Sequence, residues 1–115
     1  MIRTHKDLDV WKKSIGFVTE IYKETEKFPK AELYGLTSQI RRAAISIPSN
    51  IAEGATRKSK TEFKQFLYIA LSSASEVETQ LIIAKNLEFL KENEALLNDL
   101  SCISKMIQGL IKSIE

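Results

Sequence analysis

The chain has one cysteine, one histidine, four glycines and two prolines among 115 residues, and each shortage excludes something. A lone cysteine cannot staple a disulfide-built domain and fits a reducing, cytoplasmic compartment. One histidine and one cysteine cannot assemble a conventional zinc or haem site. Four glycines are too few for the many tight turns of a sandwich or barrel. No run of roughly 18 uncharged apolar residues exists, so no membrane span is expected. The opening stretch MIRTHKDLDVW has no apolar core, so no signal peptide is expected either. What is present is a hydrophobic share of 43% against 28% charged, the balance of a globular chain rather than a disordered one. A single domain over residues 1–115 is expected. At this size burial is incomplete and association with further copies is a common remedy.

Four stretches carry helical periodicity. From about Asp7 to Glu26, the residues Leu8, Trp11, Ile15, Val18 and Tyr22 recur at spacings of three and four, with Val10, Phe17 and Ile21 forming a second apolar flank. Phe28-Pro29 ends this segment, because the residue before proline is pushed out of the helical region. A second helix is read from about Ala31 to Ala55 on the stripe Leu36, Ile40, Ala43, Ile47. Pro48 lies inside it, with no N–H to donate to the carbonyl of Ala44 and with a ring that crowds that carbonyl. Apolar phase continues from Ile47 to Ile51, which favours one kinked helix over two. The third helix, about Lys60 to Leu90, opens on a capping-box pair, Ser59 and Glu62. It keeps phase through Phe63, Leu67, Ala70, Ala74, Val77, Leu81 and Ala84. The fourth, about Asn93 to Ile114, has the seam Leu96, Leu100, Ile103, Ile107, Leu110 and Ile114. Short links force antiparallel neighbours, so the expected fold is all-α, an antiparallel up-down-up-down four-helix bundle. The first two helices carry apolar residues on a second face, a surplus that argues for burial against other subunits.

Catalytic chemistry finds no footing. A di-iron bundle needs Glu-x-x-His pairs on facing helices, and the only histidine, His5, precedes the first helix. No phosphate-binding glycine loop and no nucleophile with a nearby base is visible. Cys102 reads as a small buried or half-buried apolar residue. We therefore expect no enzyme, no metal and no cofactor. Polar stripes do run beside the apolar ones: Gln39, Arg42, Ser46, Ser49 and Glu53 on the second helix, and Gln65, Ser72, Glu76 and Thr79 on the third. These are either two solvated faces or a network in which Arg42 pairs with Glu76 or Glu78 and Asn50 and Gln80 bond between helices. Such pairs set register more than they add stability.

The modest net charge of +2 conceals an asymmetry. Between residues 41 and 64 stand Arg41, Arg42, Arg57, Lys58, Lys60 and Lys64 against Glu53 and Glu62. From residue 65 onward, Lys85, Lys91, Lys105 and Lys112 face Glu76, Glu78, Glu88, Glu92, Glu94, Asp99 and Glu115. Arg57, Lys58, Lys60 and Lys64 gather at the link between the second and third helices. In an up-down layout the chain start lies at that same end, where Arg3, Lys6, Lys12 and Lys13 can join them. A basic end repeated around an oligomer is a footprint for a phosphate backbone; in a monomer it is an ordinary solvated turn. Phe63 and Phe66 read as core, so base stacking and sequence-specific readout lack support.

The stretch Tyr34-Gly35-Leu36-Thr37-Ser38-Gln39-Ile40-Arg41-Arg42-Ala43-Ala44, continuing Ser46-Ile47-Pro48-Ser49-Asn50-Ile51-Ala52-Glu53-Gly54, is distinctive. So are Glu62-Phe63 with Phe66-Leu67 and Ile69-Ala70, Glu76-Val77-Glu78-Thr79-Gln80-Leu81, and Leu8-Asp9-Val10-Trp11-Lys12. Together they resemble the four-helix bundle proteins encoded in intervening sequences of bacterial 23S rRNA genes, over about Leu8 to Leu90. The resemblance implies a small cytoplasmic bundle that assembles into a homopentamer, with no catalytic residues. It also implies kinship with the pentameric basic accessory protein of diversity-generating retroelements, which binds nucleic acid and a reverse transcriptase. The expected function is a non-enzymatic oligomer that binds RNA or a nucleoprotein through its basic ends. The alternatives are a protein-binding adaptor, or a small-molecule pocket on a ring axis lined by Asn50, Glu53 or Gln80.

Overall fold

The computed structural model describes residues 5–114. Four helices make up the fold: α1 Asp9–Thr25, α2 Leu36–Ala55, α3 Lys60–Asn86 and α4 Glu94–Ile114, with short 3-10 turns at His5–Asp7 and Lys30–Glu32. There is no strand among the described residues. Each helix packs against its sequence neighbours and α1 closes the ring on α4, while no close backbone approach joins the diagonal pairs. That is the expected up-down-up-down bundle. Its 43 Å long axis matches the length of α3 at the rise of about 1.5 Å per residue.

The face of α1 turned inward is not the more regular of its two stripes. Val10, Ser14, Phe17, Ile21 and Thr25 are buried, whereas Trp11 and Val18 are half-buried and Ile15 and Tyr22 are exposed. Two hydroxyls on the buried face are satisfied locally: Ser14 donates to the carbonyl of Trp11 at 2.8 Å and Thr25 to that of Ile21 at 2.7 Å. Their burial therefore leaves no hydroxyl unpaired.

α2 starts five residues later than its periodicity predicts. Residues Lys30–Glu32 form a separate 3-10 turn, and the Glu32 carboxylate accepts the N–H of Leu36 at 3.2 Å, capping the new helix from outside. A single helix runs through Pro48, which is buried. Near the end of α2, Gly54 allows a close approach to α3. A Cβ there would lie 2.8 Å from Phe66 Cβ and 2.9 Å from Phe63 Cδ1. Ala43 and Ala44 on α2 and Ala70 and Ala74 on α3 are buried as well, and small side chains of this type let helix backbones draw together.

The N-terminus of α3 is capped as its sequence predicts, with the Glu62 N–H donating to Ser59 Oγ at 3.1 Å and the Ser59 hydroxyl donating to the Glu62 carboxylate at 3.1 Å. Its C-terminus falls at Asn86, not Leu90. Glu88 adopts φ 64°. The Phe89 N–H reaches back to the Ala84 carbonyl at 2.9 Å and the Glu88 N–H to that of Lys85 at 2.9 Å. This is a Schellman stop built on a residue other than glycine. Phe89 then packs on Phe28 with ring centroids 5.7 Å apart, and buried Asn93 donates to the Leu81 carbonyl at 3.3 Å.

Candidate nucleic-acid interface

The link between α2 and α3 is a tight turn. The Thr56 N–H donates to the Glu53 carbonyl at 3.2 Å, and the Arg57 N–H to that of Gly54 at 3.1 Å. This geometry throws Arg57, Lys58 and Lys60 onto the exposed end of the bundle. Arg57 is engaged within the chain: its guanidinium bonds the Glu53 carboxylate at 3.1 Å and lies 4.7 Å over the Phe66 ring. Lys58 and Lys60 make no ion pair among the described residues. Lys64 is half-buried one turn further along α3.

The start of α1 does lie beside the C-terminal half of α2. His5 packs edge-on against Trp11 at 5.0 Å, and both border a groove shared with Ile15, Ile45, Pro48 and Ala52. Lys12 is exposed on this first stretch of α1. Lys13 departs from expectation. It turns to α4 and makes a solvent-exposed pair with Asp99 at 3.7 Å, facing that helix and not the basic turn. Arg3 lies outside the described residues.

The polar stripes of α2 and α3 meet, but the expected pairings between them do not form. Gln39, Arg42, Ser46, Ser73 and Glu76 line one cleft of about 470 Å³ together with Tyr34 and Ser38. Arg42 forms no ion pair with Glu76 or Glu78 in the chain. Glu78 opens instead on the opposite flank of α3, in a groove of about 320 Å³ with Ser101, Ser104 and Gln108. Asn50 bonds within its own helix, to the carbonyl and the hydroxyl of Ser46, both at 2.8 Å. Gln80 likewise donates to Glu76 at 3.2 Å, and its buried Oε1 has no partner among the described residues. The bond that crosses between α2 and α3 is Ser73 to Ser46, at 2.8 Å. The side chain missed is Ser73; the polar spacing on α3 points to Ser72, one position away. Asn50 is thus tied to Ser46, Glu53 to Arg57 and Gln80 to Glu76, with no bond among the three. Cys102 is exposed, not buried as expected. Among the described residues no three His, Cys, Asp or Glu side chains gather as a metal site, and no helix is long and apolar enough to cross a membrane.

A family model described as 23S rRNA-intervening sequence protein matches residues 6–109. The chain belongs to this family. The intervening-sequence fold is also that of a crystal structure of a protein with unknown function from the S23 ribosomal protein family of Bacteroides thetaiotaomicron. That structure is 30% identical, with a TM-score of 0.80, over 90% of this chain and 98% of the other. No curated protein is detectably similar. For this member of the intervening-sequence family, the residues of the distinctive Tyr34–Gly54 stretch fall on α2 and the turn before it. There they supply the close approach to α3, through Ala43, Ala44, Ser46 and Gly54.

Proposed function

We propose that this protein is a non-enzymatic cytoplasmic homo-oligomer, in the ring of five that the family resemblance implies, and that it binds RNA or a nucleoprotein through its basic ends. The observation that carries the RNA reading is the pair Lys58 and Lys60, exposed on a tight turn and without ion partners among the described residues. Lys12 is exposed near the adjoining start of α1 and adds to the same end. Unpaired lysines repeated around a ring attract a phosphate backbone with an affinity that falls steeply with salt.

Association is supported by what the bundle leaves uncovered. Trp11, Ile15, Val18, Ile45 and Pro48 line an open apolar groove between α1 and α2 of about 350 Å³. At the end of α3, Ile82 and Ile83 are exposed beside the capping residue Leu87. Two unlike apolar faces on different sides of a protomer suit head-to-tail contact, the type that closes into cyclic rings.

Light scattering tests assembly: a mass of 13.1 kDa in dilute buffer overturns the oligomer. For RNA, Lys58→Glu with Lys60→Glu lowers the salt dependence of binding by about one to two phosphate contacts per protomer. An affinity with no salt slope, or one unmoved by this double variant, overturns the RNA reading. The groove of α1 and α2 favours a second reading, an adaptor that docks a protein partner. It requires that this groove stay open in the assembled oligomer.

A further inference from the structure

One face of the bundle is unaccounted for by packing, by the middle polar cleft or by the α2–α3 turn. Between α3 and α4 lies a groove of about 680 Å³ lined by Tyr68, Leu71, Lys105, Gln108, Gly109, Ile111 and Lys112. Tyr68 is 54% exposed, and its ring stacks on no other ring and meets no cation among the described residues. Leu71 is half-buried and Ile111 buried, giving the groove an apolar floor. Lys105 and Lys112 are both exposed, with no ion pair among the described residues. They are two helical turns apart on one face of α4, about 10.5 Å along its axis.

Gly109 stands between them. Glycine inside a helix costs about 1 kcal/mol against alanine, and here packing does not demand it, since a Cβ at this position would meet nothing within 4 Å. What the missing side chain does is keep the groove open between the two lysines. The groove also lies toward the basic end: Tyr68 follows Lys60 by about 12 Å along α3, and α4 runs back toward that end as it reaches Lys112.

An unstacked aromatic face, an apolar floor and bracketing cations form the combination that holds unpaired nucleotides, with bases stacking on the ring and phosphates held by the lysines. We propose that the α3–α4 groove binds a single-stranded segment of RNA, a base stacked on Tyr68 and the flanking phosphates on Lys105 and Lys112. The proposal rests on the RNA reading above and gives it a strand preference. A duplex cannot offer a base face to Tyr68, so unpaired RNA is preferred.

The test is fluorescence anisotropy on the full chain, with a labelled single-stranded 12-nucleotide RNA of mixed sequence and with the same strand annealed to its complement. Tyr68→Ala weakens single-strand binding about 5- to 100-fold and leaves duplex binding unchanged, while Tyr68→Phe retains wild-type affinity. Gly109→Leu, which suits a helix and so preserves folding by circular dichroism, weakens single-strand binding to a similar degree by filling the groove. If Tyr68→Ala and Gly109→Leu bind the single strand like wild type while Lys58→Glu with Lys60→Glu does not, the groove is wrong and the basic end stands. If the wild-type chain binds neither RNA, both fall. If Tyr68→Ala and Tyr68→Phe weaken both RNAs equally, the tyrosine is not a stacking platform and the proposal fails.

Discussion

The α2–α3 seam and the α1–α4 seam hold the same bundle together by different means. Between α2 and α3 the backbones draw close over small residues. Gly54 sits under Phe63 and Phe66, buried alanines line both helices, and the Ser73–Ser46 hydrogen bond crosses the gap. Between α1 and α4 the approach is far less extensive. Its ion pair among the described residues, Lys13–Asp99, spans 3.7 Å with both side chains a third or more exposed. Close packing is unforgiving of added atoms and rewards nothing else, whereas a solvated ion pair tolerates replacement. The Tyr34–Gly54 stretch lies where the geometry has least slack, on α2 and the turn before it.

The sharpest way to break this contrast is Gly54→Ala. Helix propensity alone predicts a gain of about 1 kcal/mol. The 2.8 Å contact with Phe66 Cβ predicts instead a net loss of about 2 kcal/mol, read by urea denaturation, and any stabilisation refutes the close approach. Next, native-state hydrogen exchange separates the seams directly. Interior amides of α2 and α3 exchange with the free energy of global unfolding, and those of α1 exchange by smaller openings; equal protection across all helices erases the distinction. Ser73→Ala removes the cross-helix bond and costs about 1 kcal/mol, checked by the shift in urea midpoint at unchanged slope. Smallest is Lys13→Met, which changes stability by about 0.5 kcal/mol or less. A loss of several kcal/mol there shows the α1–α4 seam to be stronger than its contacts imply.

Much of the fold is legible in the chain's periodicity, and its failures have physical causes. Four helices, their order and the Ser59–Glu62 cap follow from spacing and capping chemistry. The inward face of α1 does not, because a hydrophobicity reading rewards the regular stripe of Trp11, Ile15, Val18 and Tyr22. The bundle instead buries the stripe that includes Ser14 and Thr25, whose hydroxyls bond back to the helix. The end of α3 at Asn86 carries no signal, since Glu88 occupies a left-handed position where glycine is the usual marker.

For the candidate site, the basic turn is visible as a local run of charge. How much of it is free is decided by partners that no spacing reveals: Arg57 held by Glu53 and Phe66, and Lys13 by Asp99. Tyr68 gives no sign in sequence of being anything but another apolar position on a long helix. Only its neighbours on α4, about 40 residues further on, make it a surface.

The ring in which each helix touches only its neighbours also dictates an order of events. Three of its seams join helices that are consecutive in the chain and linked by four to ten residues, so their contacts form with far less loop entropy to overcome than the fourth. The fourth, α1 on α4, must bring together segments separated by most of the chain. A transition state with the α2–α3 hairpin formed and α1 still undocked follows, with φ-values high at Ala70 and near zero at buried Phe17 on α1. A chain leaving the ribosome exposes α2 and α3 ahead of α4, so that core forms before the ring closes.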